Sequence, residues 1–243
     1  MTSTTNPETV SGERIEELQQ MAGDHMFMHA AQINDWRGNL RVYVKGDGVW
    51  VETLDGQRHL DAMAGLWYKS VGYGRTEIAD AVYAQMTAID SPPAGSSTIP
   101  QIELAGKVAD LYPDHGARSF FVSGGSEAVE TAVKMAKKYS QLNGKGGAFK
   151  VISRRYSYHG GTAMSVSLGR SPAADPMGPE MPGALHVTNW NSYRLPFDGD
   201  PIDVAVKCAD EMEEVIIHQG PETVAAIIAE PVSAAFGIQI PPA

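Results

Sequence analysis

The run from Ser119 to Tyr139 constrains this chain more than any other stretch. Phe120-Phe121-Val122 is apolar and bounded by polar residues, the pattern of a short buried strand. Ser123-Gly124-Gly125-Ser126 is a turn of small residues. Val129, Ala132, Val133 and Ala136 then recur at the i, i+3, i+4, i+7 spacing of one buried helix face. Glu130 and Lys134 stand four apart, in the favourable order, on the other side. The first N–H groups of a helix have no intrahelical partner and its dipole end is positive, so such a turn is an anion site by construction. Two glycines let a ligand approach the backbone closely, and Ser126 adds a hydroxyl donor. Each hydrogen bond to a charged group contributes about 1.5–3 kcal/mol. The competing reading is an ordinary strand–helix connection with Ser126 as N-cap. This stretch by itself leaves both open.

Bulk properties narrow the partners. The 243 residues suffice for one large or two small domains. Apolar content of 43% and charged content of 20% suit a soluble globular protein. A net charge of −10 argues against nucleic acid or an anionic membrane surface as partner. An anionic cofactor stays open, because local donors govern its site. The single cysteine, Cys208, excludes an internal disulfide and favours the cytoplasm. The first residues show neither a basic stretch nor an apolar run, so no signal peptide is expected. The purest apolar run, Val224 to Ala229, is far too short to span a membrane. His25 and His29 are four apart, but no Glu follows His25 and no third ligand is evident, so no metal is expected.

Along the chain, residues 1–12 read as a frayed tail and Glu13 to Gln20 as a short helix. Residues 41–63 read as a β-meander, with Asp47-Gly48 and Asp55-Gly56 as hairpin turns. Glycines among aromatics from Ala62 to Gly74 suggest either a close-packed loop or a pocket wall. Glu77 to Ala88 and Ile102 to Leu111 read as helices, separated by the break Ser91-Pro92-Pro93. After the helix that follows Ser126, Phe149 to Ile152 reads as a second strand and Ala163 to Leu168 as a helix. Residues 171–183 form a Pro/Gly-rich loop and Leu185 to Val187 a strand. Asp203 to His218 is an amphipathic helix broken by Pro221, and Val224 to Ala229 a buried strand. Strands alternating with helices make an α/β chain with a largely parallel sheet covered on both faces.

Ligands of such sheets gather at the carboxyl ends of the strands. Three polar groups fall there: Gly125-Ser126, Tyr158-His159-Gly160 and Glu230-Pro231. The first can hold a phosphate. Tyr158 can lay an aromatic face on a flat ring. Glu230 is a partly buried carboxylate that must find a partner. Pyridoxal phosphate, a flat phosphate ester, would use all three. Taken singly, Tyr158 also reads as a core aromatic, His159 as a satisfied loop histidine, and Glu230 as half of an ion pair.

At this point the chain resembles a family, the class III pyridoxal-phosphate aminotransferases of fold type I, in their ω-amino acid or amine:pyruvate branch. The resemblance rests on Gly65-Leu66-Trp67 with Val71-Gly72-Tyr73-Gly74-Arg75, on Ser123-Gly124-Gly125-Ser126-Glu127-Ala128, on Tyr158-His159-Gly160, and on Glu230-Pro231-Val232 with Pro241-Pro242-Ala243. It covers residues 24–243 and implies an aspartate-aminotransferase-like fold. Residues 1–70 would be an N-terminal segment and meander of the small domain. Residues 71–243 would be the first part of the large cofactor domain.

The resemblance further implies that Gly124, Gly125 and Ser126 cradle the cofactor phosphate and that Tyr158 stacks on its ring, with His159 beside it. Glu230 would stand behind the ring, and Leu66 and Trp67 would line the substrate pocket. It implies a homodimer acting on an amine and a keto acid such as pyruvate. Ser123 stands where the family commonly has Asn, Gly124 where it commonly has Ser, and Ser233 where a larger polar residue is frequent. The family's ring-nitrogen aspartate and cofactor-bearing lysine follow the Pro-Pro-Ala segment, so the expectation is an N-terminal half that is inactive alone. Another fold type I reaction, such as an aminomutase or decarboxylase, and a non-catalytic fragment or pseudoenzyme are the alternatives.

Overall fold

A computed structural model describes residues 10–28, 31–113, 116–169 and 179–242. His29 of the histidine pair, most of the tail before residue 10, residues 171–178 of the Pro/Gly-rich loop and Ala243 lie outside the described residues. The chain divides into two compact units, Met1–Glu103 and Leu104–Ala243.

The first unit opens with helices α1 (Gly12–His25) and α2 (Ile33–Trp36). The Ser11 hydroxyl caps α1 by accepting from the Arg14 N–H at 3.3 Å. The helix expected over 13–20 runs on to His25, because tertiary contacts extend it: Ala22 and Gly23 are buried, and Arg37 Nη2 donates to the Gly23 carbonyl at 3.1 Å. The meander follows as β1 (Tyr43–Asp47), β2 (Trp50–Thr53) and β3 (Arg58–Leu60), antiparallel in the order β1-β2-β3. Register pairs Asp47 with Trp50 and Trp50 with Leu60, so both reversals fall at the Asp-Gly pairs.

Next come α3 (Ala64–Trp67) and α4 (Thr76–Ala88), while α5 (Ile99–Asp110) crosses the boundary between the units. In α3 the backbone turns left-handed at Ala64, Gly65, Leu66 and Trp67 (φ 47, 70, 95 and 69°). For Leu66 and Trp67 this costs on the order of 1–3 kcal/mol each. Asp61 supports the turn, its Oδ2 accepting from the Gly65 N–H at 2.7 Å and the Tyr73 hydroxyl at 2.8 Å. The Tyr73 bond holds the Asp61 carboxyl below the usual carboxylate range.

The second unit contains α6 (Gly125–Leu142), β4 (Lys150–Arg154), α7 (Ala163–Gly169), β5 (Ala184–Val187), α8 (Pro201–Gln219) and β6 (Val224–Ile227). The sheet order is β5-β4-β6, with both pairings parallel. β4 is central, and its Val151, Ile152 and Ser153 are all buried, as a strand covered on both faces requires. Ser153 satisfies its hydroxyl on the Leu168 carbonyl at 2.6 Å. Helices α6 and α7 pack on the sheet through Val133, Val151, Met164 and Leu168, joined by Val129, Ala184, Ala226 and Ile228. Asp200 caps α8 on the Ile202 N–H, with Pro201 in the first turn, and Gly220 ends it at φ 86°. Trp190, Val204 and Cys208 form a second cluster on its buried side.

Three expectations need correction. Phe120-Phe121-Val122 is not a strand: no described strand pairs with it, and both phenylalanines are exposed. An apolar run becomes a strand only where a partner backbone takes its hydrogen bonds. Ala132 is also exposed, so the buried side of α6 is carried by Val129, Thr131, Val133 and Ser140. Finally, β6 is half-buried, with Ile227 exposed, because among the described strands it pairs only with β4.

Leu168 is 0% exposed at the centre of the larger cluster. Leu168→Ala should therefore lower the unfolding free energy by about 2–5 kcal/mol in urea titration, at unchanged slope. A loss below about 1 kcal/mol would show that this cluster is not the core.

Candidate functional site

In the second unit, β5 lies on one side of β4 and β6 on the other. The direction of sheet growth therefore reverses at β4, and the crevice beyond its carboxyl end is the place where open parallel sheets bind ligands. Helix α6 starts beside it. Its N-cap is Gly124, in extended backbone, and no side chain caps the helix. Gly125 and Ser126 are thus its first helical residues, and Ser126 does not serve as N-cap. Glu127 reaches back to accept from the Ser123 N–H at 2.9 Å. A Cβ added to Gly124 or Gly125 would meet nothing within 4 Å, so space is open in front of the helix.

The segment after β4 closes on this helix start. The Gly161 N–H donates to Ser126 Oγ at 2.9 Å, which leaves the hydroxyl proton free to be donated. Gly160 sits at φ 130°, and a Cβ there would lie 2.6 Å from Ser126 Oγ and 2.7 Å from Ser165 Oγ. Only glycine fits. Glu130, expected on the solvent side beside Lys134, turns instead toward α7. Its Oε1 accepts from the Thr162 hydroxyl at 2.6 Å, the Met164 N–H at 3.1 Å and the Ser165 N–H at 3.4 Å.

Tyr158, His159 and Glu230 divide the remaining roles. The Tyr158 ring is exposed and available to a ligand, so it is not a core aromatic. His159 is 8% exposed, and its Nε2 finds no partner among the described residues. Burial pushes its pKa down; Glu230 works against this, while Arg154 and His186 reinforce it. Glu230 is half-buried, and its Oε2 accepts from the Ser233 hydroxyl at 2.9 Å. Ser233, 1% exposed, accepts in turn from Asn189 Nδ2 at 3.3 Å. Arg154 Nη2 donates to the Glu230 backbone carbonyl. A hydroxyl therefore orients the carboxylate, and the arginine holds its main chain. Further along, Tyr156 stacks on Phe236 (centroids 4.9 Å apart, 6° between planes) on the wall of a cleft of about 680 Å³.

The structure thus joins Ser126 directly to Gly160 and Gly161, and gathers His159, Arg154 and Glu230. Leu66 and Trp67 belong to the other unit, where both are exposed on the left-handed turn. Sequence reading missed Glu130, Thr162, Arg154 and Asn189. Glu130 and Thr162 are 32 residues apart, and no local pattern links them. Among the described residues no group of three His, Cys, Asp or Glu could hold a metal.

The sequence profile of the class-III aminotransferases matches residues 33–243. The chain belongs to that family. It is 35% identical over 239 residues to the putrescine–pyruvate aminotransferase of Pseudomonas aeruginosa, covering 96% of this chain and 52% of that protein. Among solved structures it is similar to an (S)-enantioselective omega-transaminase from Thermomicrobium roseum (TM-score 0.89, 36% identity, 97% of this chain and 53% of that one). It is similar also to the PMP-bound form of an aminotransferase from Vibrio fluvialis (TM-score 0.85, 30% identity, 91% and 50%). The chain spans about half the length of the curated relatives it matches.

The cofactor of class-III aminotransferases is pyridoxal phosphate, and the residues of this class-III chain fit it. The uncapped helix start, the open space before Gly124 and Gly125, and the free Ser126 proton suit a phosphate ester. The exposed face of Tyr158 and the oriented carboxylate of Glu230 suit a polar heteroaromatic ring.

The depressed pKa of His159 has a consequence for stability. The unfolded chain takes up the proton first, so the contribution is fully present above the ordinary histidine value of 6.5 and is lost as pH falls from there toward the folded value. The urea midpoint should fall on acidification through this window, and His159→Gln should flatten that part of the profile. An unchanged profile in the variant would contradict a buried neutral His159.

Proposed function

We propose that this chain supplies the phosphate-holding and ring-facing part of a pyridoxal-phosphate site in a transaminase. The enzyme moves an amino group from an amine or ω-amino acid to a keto acid such as pyruvate. The observation that carries this reading is the uncapped start of α6 tied through Ser126 to the strap at Gly160 and Gly161. The pyruvate-dependent relative named above supports the choice of acceptor.

When bound, the cofactor supplies a carbonyl that exchanges amino groups and a ring that takes up electrons from the substrate carbon. The chain's own residues do the rest. The first N–H groups of α6 and the Ser126 hydroxyl hold the phosphate through charge-assisted hydrogen bonds. Tyr158 covers one ring face and keeps water from it. Glu230, aimed by Ser233, accepts a proton-bearing group at its carboxylate, and neutral His159 backs Tyr158 without adding charge. Leu66 and Trp67 would form substrate-pocket wall, their backbone strain fixing where the side chains sit.

Residues 1–70 are assigned to a small domain and 71–243 to the first part of a large one. None of the nine lysines present is assigned as the cofactor-bearing residue; Lys150, for one, is engaged with the Gln219 carbonyl at 2.9 Å. A homodimer is supported by α4, which buries no residue and exposes Val82, Tyr83 and Met86. A cytoplasmic location fits the lone free thiol of Cys208. No helix among the described residues is long and apolar enough to cross a membrane.

Titration of the naturally produced protein with pyridoxal phosphate, followed by absorbance, tests the reading. Ser126→Ala should weaken binding by about 10- to 100-fold, the loss of one hydrogen bond to a charged group. Unchanged affinity, or no binding by the wild type, would overturn it. The 243-residue polypeptide by itself should form no alanine from pyruvate and an amine. Alanine formation would show that one of its own lysines carries the cofactor.

A further inference from the structure

We infer that Glu130 is a positioning residue for the Ser126 hydroxyl. By holding the strap of Gly160, Gly161 and Thr162 against α6, it keeps the Gly161 N–H on Ser126 Oγ and aims the Ser126 proton at a bound phosphate. This inference rests on the reading of Ser126 as a phosphate ligand.

Ser126 and Glu130 are four residues apart on α6 and share one face of it. Both grip the same short segment. Ser126 takes the Gly161 N–H. Glu130 Oε1 takes the Thr162 hydroxyl and the N–H groups of Met164 and Ser165. Two side chains on one helix face therefore hold four donors within five consecutive residues. A serine hydroxyl rotates freely unless a donor occupies its oxygen. The Gly161 N–H is that donor, and Thr162, the next residue, is fixed by Glu130. Without Glu130 the strap can lift and the Ser126 proton loses its direction.

Thr162 is also held from within α7. Ser165 Oγ accepts from the Thr162 N–H at 3.0 Å and pairs with the Thr162 hydroxyl at 2.8 Å. Loss of Glu130 should therefore shift the strap while leaving α7 folded. The sign of the charge separates positioning from electrostatics. A carboxylate near a phosphate opposes its binding by repulsion, so Glu130 can favour binding only through the geometry it imposes. Gln at this position keeps the accepting oxygen and removes the charge.

The test is a double-mutant cycle on pyridoxal-phosphate affinity, measured by absorbance titration of the naturally produced protein freed of cofactor. Glu130→Ala should weaken binding roughly tenfold in the wild-type background and less than about twofold when Ser126 is already Ala. Glu130→Gln should bind as the wild type does, or more tightly. Thr162→Val, which removes only the hydroxyl that reaches Glu130, should show the same dependence on Ser126 if Glu130→Ala proves insoluble. An equal loss from Glu130→Ala in both backgrounds, or a loss from Glu130→Gln as large as that from Glu130→Ala, overturns the role of Glu130 and leaves the phosphate site standing. A Ser126→Ala variant of wild-type affinity overturns both.

Discussion

The hydrogen bond from the Gly161 N–H to the Ser126 hydroxyl joins the two segments that the candidate site needs. One is the start of a long helix, whose N–H groups and dipole attract an anion. The other is the chain leaving the central strand, which carries Tyr158 and His159. Gly160 makes the approach possible. With φ at 130° and Ser126 Cα only 2.9 Å from where a Cβ would stand, no other residue allows the two backbones to come so close. Glu130 fastens the same junction one helical turn further on.

Behind this junction the unit is built to hold still. The middle of β4 is buried on both faces, and its one polar side chain there, Ser153, bonds the end of α7 through the Leu168 carbonyl. Ser157 is 1% exposed and bonds the Arg154 carbonyl at 2.6 Å, folding the chain sharply as it leaves the strand. Beyond the flanking strands β5 and β6, Asn189, Ser233 and Glu230 form a relay of hydrogen bonds that ends on the carboxylate. Ser233 is the fully buried link of this relay, while Asn189 Oδ1 is buried and finds no partner among the described residues.

Much of the fold was legible in the sequence, for identifiable reasons. The Asp-Gly turns announce the meander, the helical spacing of apolar residues announces α6 and α8, and Pro221 marks the end of α8. The short apolar strands are correctly read as a parallel sheet where a neighbour pairs with them. Phe120-Phe121-Val122 misleads because apolarity says nothing about the presence of that neighbour. Of the candidate site, the sequence marks what is local: a glycine turn before a helix, an aromatic near a glycine, and a carboxylate just past an apolar strand. The supporting contacts were not. Glu130 to Thr162, and Asn189 to Ser233 across 44 residues, depend on which helix packs on which strand. A sequence period carries no information about that.

We propose that the start of α6, closed by the glycine strap, is a preformed seat for the phosphate of pyridoxal phosphate. A crystal structure of the naturally produced protein with that cofactor tests it most directly. That structure should show a phosphate within about 2.7–3.2 Å of the Gly125 and Ser126 N–H groups and of Ser126 Oγ, with the Gly161 bond to Ser126 retained. A phosphate seated elsewhere, or a strap displaced from Ser126 on binding, would contradict it.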